Sequence, residues 1–333
     1  MRTLVTGATG GLGRNLVLRL LREGYRVCAT GRNLLIGEAL ANAGAVFIPG
    51  DLTEKAVTSA LCKDQDVVFH CAALSSPWGK YRDFYAANVI GTEHIAQACL
   101  QHKVRRLIYV STPSIYFDFT EKHGILEHEP LPAKPANHYV ATKLIAEQLL
   151  DKAFNKYGLP VVSIRPRGIF GPYDSTLMPR IMRVSRGGRT PLIAGGRALI
   201  DVTYVENVVE SLLLAAHAPA LILGKKYNIT NAEPLTLNYL LEKIFTALNL
   251  PFRPKNISYT AAAILAGAME LLASLPFVSW EPPLTRYGIG VLSMGQTLDI
   301  SAARRDLGYV PKISLTEGIS RFAQWWQIHH DTN

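Results

Sequence analysis

Tyr139 and Lys143 stand four residues apart in Tyr139-Val140-Ala141-Thr142-Lys143, and on a helix that spacing puts both side chains on one face. An ammonium group beside a phenol favours the phenolate and lowers a pKa that is otherwise ~10. The pair would then serve as an acid/base near neutrality. Alone, such a pair is a common helix face, so the rest of the chain has to supply its context. Gly7, Gly10 and Gly13 recur every third residue in Gly7-Ala8-Thr9-Gly10-Gly11-Leu12-Gly13. Between a strand and a helix, Gly7 permits a tight turn, Gly10 lets the backbone approach a pyrophosphate, and Gly13 lets the helix pack closely. The free N–H groups of that helix would face the phosphates.

Both groups need elements to hold them. Arg2-Thr3-Leu4-Val5-Thr6 is apolar and β-branched, which suits a buried strand. Asn15 to Leu21 then repeats apolar residues at helical spacing until Gly24. Further strands are expected at Tyr25–Thr30, Ala45–Ile48, Asp66–His70, Arg106–Val110 and Pro160–Arg165, with helical patterns between them, including Phe84–Gln101 and His138–Lys156. Strands alternating with helices predict an α/β fold, a Rossmann-type doubly wound parallel sheet. After Arg165 the alternation fades. A dinucleotide-binding domain is expected over residues 1–165, and a smaller, mostly helical substrate lobe over 166–333 that is discontinuous with it, some of its segments returning to the Rossmann sheet.

The end of the second strand reads Thr30-Gly31-Arg32-Asn33. An acid there would hold a free ribose 2′-OH; Arg32 instead offers a guanidinium fork suited to a 2′-phosphate. NADP(H) is therefore expected over NAD(H). Asp51, in Gly50-Asp51-Leu52, could accept from the adenine amino group. The small Ala72 and Ala73 would let the cofactor lie flat on the sheet edge. With 333 residues, 48% of them hydrophobic, the chain can bury a large core. The net charge of +9 favours anionic cofactors, acidic substrates or a membrane surface, and the absence of basic runs interleaved with aromatics argues against nucleic acid. Cys28, Cys62, Cys71 and Cys99 show no metal-ligand spacing and lie in apolar segments, so reduced thiols, no metal site and a cytoplasmic location are expected.

The chain resembles the extended short-chain dehydrogenase/reductases in TGATGGLG at Thr6–Gly13, GDL at Gly50–Leu52, NVIGT at Asn88–Thr92, YVATK at Tyr139–Lys143, RPRGIFGP at Arg165–Pro172, VTYVENV at Val202–Val208 and DISAARRDLGYVP at Asp299–Pro311. The resemblance implies that Tyr139 transfers a proton, that Lys143 also holds the nicotinamide ribose, and that a hydroxyl in Ser111-Thr112-Pro113-Ser114 binds the substrate oxygen. Thr112 falls at the usual position of that hydroxyl, with Ser114 as the alternative. It further implies that Asn88 positions the helix carrying Tyr139 and that Pro166 begins the segment meeting the nicotinamide amide. Two helices per subunit often form a dimer interface in this family, so a homodimer through Tyr81–Gln101 and His138–Lys156 is expected.

Within the family, STPSIY, AALSSPWGKY, LIDVTYVENV and EPPLTRYGIGVLSMGQTLDISAARRDLGY look like the 3β-hydroxysteroid dehydrogenase group. They are similar above all to its bacterial branch, with sterol 4-carboxylate 3-dehydrogenases and 2-alkyl-3-oxoalkanoate reductases. That implies reversible interconversion of a ketone and a secondary alcohol on an apolar substrate. A nucleotide-sugar 4-epimerase is the alternative; there an Arg-Asp pair grips the diphosphate, whereas here the pair is Ile200-Asp201, and Arg197 would have to substitute. A non-catalytic nicotinamide-binding regulator is the remaining alternative, although such proteins commonly lose the Tyr or Lys. Ile257–Val278 is apolar but interrupted by Glu270, too short and broken for a membrane span of ~20 residues. It is expected to line the pocket, with peripheral membrane contact as the competing expectation.

Overall fold

Leu4 and Val5 are sequence neighbours, yet each belongs to a different core. Successive strand residues face opposite sides of a sheet, so this sheet is covered on both faces. The computed structural model describes residues 1–185, 189–275, 277 and 280–330. Strand β1 (Arg2–Thr6) leads through the glycine turn into helix α1 (Gly11–Arg22), followed by β2 (Arg26–Gly31), α2 (Leu34–Asn42), β3 (Val46–Pro49), α3 (Lys55–Cys62) and β4 (Val67–His70). Helix α4 (Tyr81–Tyr85) passes through a π-helical turn at Ala86–Ile90 into α5 (Gly91–Gln101). Then come β5 (Arg106–Val110), β6 (Lys122–Ile125), α6 (His138–Tyr157) and β7 (Val161–Pro166).

Seven parallel strands form the main sheet. Their order is β12-β7-β5-β4-β1-β2-β3, where β12 spans Lys226–Ile229. The chain builds outward from β1 to β3 and restarts on the other side with β4, so the strand order reverses between β1 and β4. Ligands of open α/β sheets bind in the crevice at such a point. On one face, Leu16, Val17 and Leu20 of α1 join Val5 and Ile108 in a core. On the other, Ile95 and Cys99 of α5 and Ala146 and Leu150 of α6 pack on Leu4 and Val68.

The remaining elements are β8 (Ile169–Phe170), α7 (Leu177–Val184), β9 (Arg189–Ile193), β10 (Leu199–Ile200), β11 (Thr203–Tyr204), α8 (Val205–His217), β13 (Leu235–Thr236), α9 (Leu237–Ala247), β14 (Arg253–Ile257), α10 (Tyr259–Ala273), α11 (Arg286–Ser293), β15 (Gln296–Leu298), α12 (Ser301–Leu307) and α13 (Leu315–His330). They form a mostly helical lobe around a third core containing Phe170, Ile200, Leu240 and Phe322, with small sheets β13-β10-β15-β6 and β14-β9. Three placements tie the lobe and the sheet together. Strand β12 returns to the edge of the main sheet some sixty residues after β7. Val209 and Leu212 of α8 join the core around β1. Conversely β6, from the first half, pairs with β15 of the lobe. Two parts of the Ile257–Val278 stretch, Pro276 and Val278, lie outside the described residues.

Candidate active site

A cleft of about 480 Å³ opens at the carboxyl ends of β1, β4, β5 and β7. The glycine turn forms its floor. Gly7 has φ +65°, and a Cβ on it would stand 2.7 Å from the Ala72 backbone. A Cβ on Gly13 would stand 2.2 Å from the Gly7 carbonyl oxygen, closer than any side chain allows. Gly10 differs: apart from its chain neighbours, a Cβ there would meet one protein atom within 4 Å, the Gly7 oxygen at 3.3 Å. Its open side faces the cleft. Gly10 caps α1 without a side-chain bond, and the first turn of α1 has no acid. Unfilled N–H groups at an uncapped helix start, beside a glycine face without a side chain, fit a pyrophosphate. The residues present therefore fit a nicotinamide dinucleotide.

Gly7, Gly10, Gly11, Leu12, Gly13, Ala73, Thr112, Tyr139, Lys143 and Pro166 all line this cleft. Other candidates stand elsewhere. Ala8 is fully buried in the core, and its N–H donates to the Thr30 carbonyl at 3.0 Å. Thr9 packs against Gly31, where a Cβ would lie 2.5 Å from its hydroxyl; the space beside Gly31 is taken by Thr9 rather than left free. Ala72 presses on Gly7. Leu52 packs beside α5 and its carbonyl meets His94 Nδ1 at 3.1 Å. Asp51 is exposed, and bonds from the Thr53 N–H and hydroxyl, with the Arg32 charge, hold its carboxyl below the ordinary value despite partial burial. Arg32 is exposed beside α2, whose first turn is capped by Asn33 accepting from Ile36 N at 3.0 Å.

Helix α6 carries Tyr139 and Lys143 as the spacing requires. Asn137 caps it, accepting from Val140 N at 2.9 Å, and Gly158 ends it at φ +69°. Asn88 sits in the π-helical turn, the kind of helix irregularity that often marks functional sites. Its side chain accepts from Leu74 N at 2.8 Å and donates to Leu74 O at 3.1 Å and Thr142 Oγ1 at 3.0 Å. Asn88 thus ties the loop after β4 to α6. It touches no cleft surface and acts as a positioning residue. Thr112 accepts from Ser114 N at 3.1 Å, and its hydroxyl is hydrogen-bonded with Tyr139.

The electrostatics differ from the simple pairing of phenol and ammonium. Burial pushes the Tyr139 hydroxyl up to about 12; Thr112 and Ser75 pull it down, and Tyr287 pushes it up. Burial brings Lys143 down to about 7, opposed by Glu147 and Cys71. Its Nζ donates to the Val110 carbonyl at 2.7 Å and lies 4.1 Å over the Tyr109 ring. Its hydrogen bond therefore goes to β5, and the phenol is raised rather than lowered. Glu147, a further turn along α6, is buried, and burial raises its carboxyl; the Arg165 fork, with Nε at 2.9 Å, overrides this and holds it ionised. His70 lies below the cleft between Thr6 at 2.7 Å and Thr92 at 3.0 Å, and burial drives it down to about 3, so it is neutral.

A larger cavity of about 960 Å³ meets this cleft at Pro77 and Tyr287. Trp78, Phe84, Phe119, Tyr259, Ala263, Ala273, Leu275 and Trp280 give it apolar walls, with Lys80, Asp83, Glu270, Glu281 and Arg286 among its polar groups. Tyr287 was not among the sequence candidates. Its hydroxyl donates to Ser114 Oγ at 3.0 Å, and its ring stands edge-on to Phe117. The only signal for it was its place in EPPLTRYGIG. Buried Arg167 is also unforeseen: burial lowers its pKa, and Tyr287 and Asp201 oppose that. Ile200 is buried on β10, and exposed Arg197 lines neither cavity.

The model of the NAD dependent epimerase/dehydratase family matches residues 3–230. The 2-alkyl-3-oxoalkanoate reductase of Stenotrophomonas maltophilia is 37% identical, covering 96% of this chain and 98% of that protein. The decarboxylating sterol-4-alpha-carboxylate 3-dehydrogenase of Mus musculus is 32% identical over 98% of this chain and 90% of its own length. Among solved structures, the UDP-glucuronic acid 4-epimerase of Bacillus cereus in complex with NAD superposes with a TM-score of 0.79 at 21% identity, covering 100% of this chain and 98% of that one. At that identity the likeness concerns the fold.

Proposed function

This chain belongs to the NAD dependent epimerase/dehydratase family, as an enzyme of the extended short-chain dehydrogenase/reductase type acting on hydroxyl or keto groups with a nicotinamide cofactor, and on that premise we propose that it interconverts a ketone and a secondary alcohol on a substrate with a large apolar body. One observation carries the reading: the 960 Å³ cavity with aromatic walls meets, at Pro77 and Tyr287, the cleft that Tyr139 and Thr112 line. A pocket of that kind removes an apolar body from water and leaves the few polar groups to orient the reacting carbon.

When bound, the nicotinamide supplies or accepts a hydride at its ring C4. In reduction, the Thr112 and Tyr139 hydroxyls hold the carbonyl oxygen, and Tyr139 gives its proton to that oxygen as the carbonyl carbon gains hydride. In oxidation the phenolate takes the proton back. Lys143 would hold the nicotinamide ribose, and its pKa of about 7 leaves it able to gain or lose charge near neutrality. Asn88 keeps α6 in register with the loop that carries Leu74. Arg32, with the start of α2 beside it, would take the 2′-phosphate of NADP(H). We carry a homodimer through α4, α5 and α6 as part of the proposal; Tyr81 and Tyr85 are exposed there, and light scattering at the mass of one chain would remove it.

The nucleotide-sugar reading needs a diphosphate clamp. Arg180 lines the cleft, which favours that reading, but it is paired with Glu281 at 3.5 Å. Screening 3-oxo acids, sterols and UDP- and dTDP-sugars with both cofactors, alongside calorimetry with the sugars, decides the matter. Turnover of the apolar ketones is expected. Micromolar sugar-nucleotide binding without ketone turnover would replace this reading with the epimerase.

A further inference from the structure

Helix α10 has two working faces. Tyr259, Ala263, Glu270 and Ala273 turn toward the large cavity, and Ala262 and Ala266 pack on Ile193 and Ile289. The opposite face is bare. Ile264 is 69% exposed and Leu271 70%, with Leu265 and Leu272 beside them at the i+1 positions. Beyond the end of the helix, Leu275 at the cavity wall and Phe277 are exposed as well. A spacing of seven returns Leu271 to the side of Ile264, so this is one contiguous apolar surface, and a patch of that kind on a protein surface marks an interaction site. The helix carries one charge, Glu270. It is turned away from the stripe and neutralised by Arg286, whose backbone N and Nε donate to its carboxylate at 2.8 and 2.7 Å.

Charge beside the stripe selects the occupant. Strand β14 runs directly into α10 and pairs with β9, bringing Arg253 level with Arg189. Arg189, Arg253 and Lys255 are all exposed, and neither strand contains an acid. From Leu250 to Met269 the chain has no acidic residue at all. A basic edge joined to an apolar helix face fits a bilayer of anionic phospholipid: headgroups meet the cations while the leucines enter the acyl boundary. A second copy of this chain docked face to face here fits less well, because it would set the basic edge of Arg189, Arg253 and Lys255 against its own like. Among the described residues no helix is long and apolar enough to cross a membrane, so the contact is one of lying on the surface.

We propose that α10 docks this protein on an anionic membrane surface, with the helix standing between the lipid and the apolar cavity. The docking itself does not depend on which ketone is turned over. Sedimentation of the full chain with sucrose-loaded vesicles tests it. Wild type should pellet with phosphatidylcholine/phosphatidylglycerol (3:1) and far less with phosphatidylcholine alone, and added salt should release it. The double variant Ile264→Glu/Leu271→Glu should lose roughly tenfold or more in partitioning while its melting temperature and cofactor binding stay at wild-type values. Arg253→Glu/Lys255→Glu should weaken binding and flatten its salt dependence. Wild type left in the supernatant at low salt, or the Ile264→Glu/Leu271→Glu variant pelleting as wild type does, overturns the proposal. So does light scattering in which that variant turns a dimer into monomers, since the face would then be a subunit interface.

Discussion

The cofactor cleft and the substrate cavity are built by opposite means. The cleft is walled by backbone: strand ends, the glycine turn and one helix start, with atoms so close that a Cβ on Gly13 would reach 2.2 Å from Gly7 O. The cavity is walled by side chains from separated segments, Trp78 and Phe84, Phe119, Tyr259 and Ala263, Trp280 and Tyr287. A common cofactor needs one geometry, which backbone holds most rigidly. A variable substrate needs a shape, which side chains set and can change without disturbing the sheet. Tyr139 lines the cleft and feels Tyr287, a residue that both spaces share, so substitutions there and on each side separate the roles.

The largest effect is expected at that residue. Tyr139→Phe should lower kcat by roughly 10²–10⁴-fold while cofactor affinity stays at its wild-type value; a near-wild-type kcat would remove Tyr139 from proton transfer. Next comes Lys143→Met. It should weaken both rate and cofactor affinity, and it has a second readout in stability. Lys143 is brought to about 7 in the folded chain, against an ordinary value of 10.5. Between those pH values the unfolded chain binds the extra proton, so stability rises with pH across the window and is lost as pH falls toward 7. Melting curves of the cofactor-free protein from pH 7 to 10 should show a steeper rise for wild type than for Lys143→Met. Identical slopes would mean that Lys143 is not desolvated as its burial implies.

The same contrast decides what could be read along the chain. Gly7, Gly10 and Gly13, and Tyr139 with Lys143, were legible because each set lies within one turn or one helix, where spacing fixes geometry. The first six strands of the sheet were legible for the same reason. Strand β12 was not: Lys226–Ile229 is four residues long and joins the sheet only because β7 offers an edge, far away in sequence. Tyr287 reaches Ser114 across 173 positions, a meeting that depends on how α11 is packed. Charge state was illegible too. The spacing implied a lowered phenol, but burial dominates, and Lys143 spends its hydrogen bond on Val110. For Ile257–Val278, composition showed an apolar stretch; only the packed helix shows that one face lines the cavity and the other is bare.

On the cleft side, Gly13→Ala tests the rigidity of the backbone wall. The methyl would collide with Gly7 O, and overpacking of this kind costs about 1–3 kcal/mol. A fall in melting temperature together with loss of cofactor binding is expected. Unchanged binding would show that the turn can yield, and the contrast with the cavity would fail. On the cavity side, Trp280→Ala should raise KM for an apolar ketone several-fold with little change in kcat, since it removes wall area and leaves Tyr139 in place. An equal fall in kcat would show that the wall also orients the reacting carbon.

The smallest effect is expected at Arg32, at the end of β2 and outside the lining of the cleft. Its guanidinium is exposed, near enough to Asp51 for its charge to lower that carboxyl. The end of β2 has no acid to repel a 2′-phosphate, and the Asn33 amide nitrogen remains free, since the cap uses its oxygen. A charge-assisted hydrogen bond contributes about 1.5–3 kcal/mol, on the order of 10- to 100-fold in affinity. Exposure and the competing pull of Asp51 place the expectation near the lower end and make it salt-sensitive. Arg32→Ala should therefore reduce NADP(H) affinity about tenfold and leave NAD(H) unchanged. A guanidinium can instead stack on the adenine ring, and then both cofactors would weaken equally. Wild type favouring NAD(H) at equal concentrations would overturn the NADP(H) preference. It would also show that a part of the cofactor site built from a long, exposed side chain, rather than from backbone, is read poorly from sequence alone.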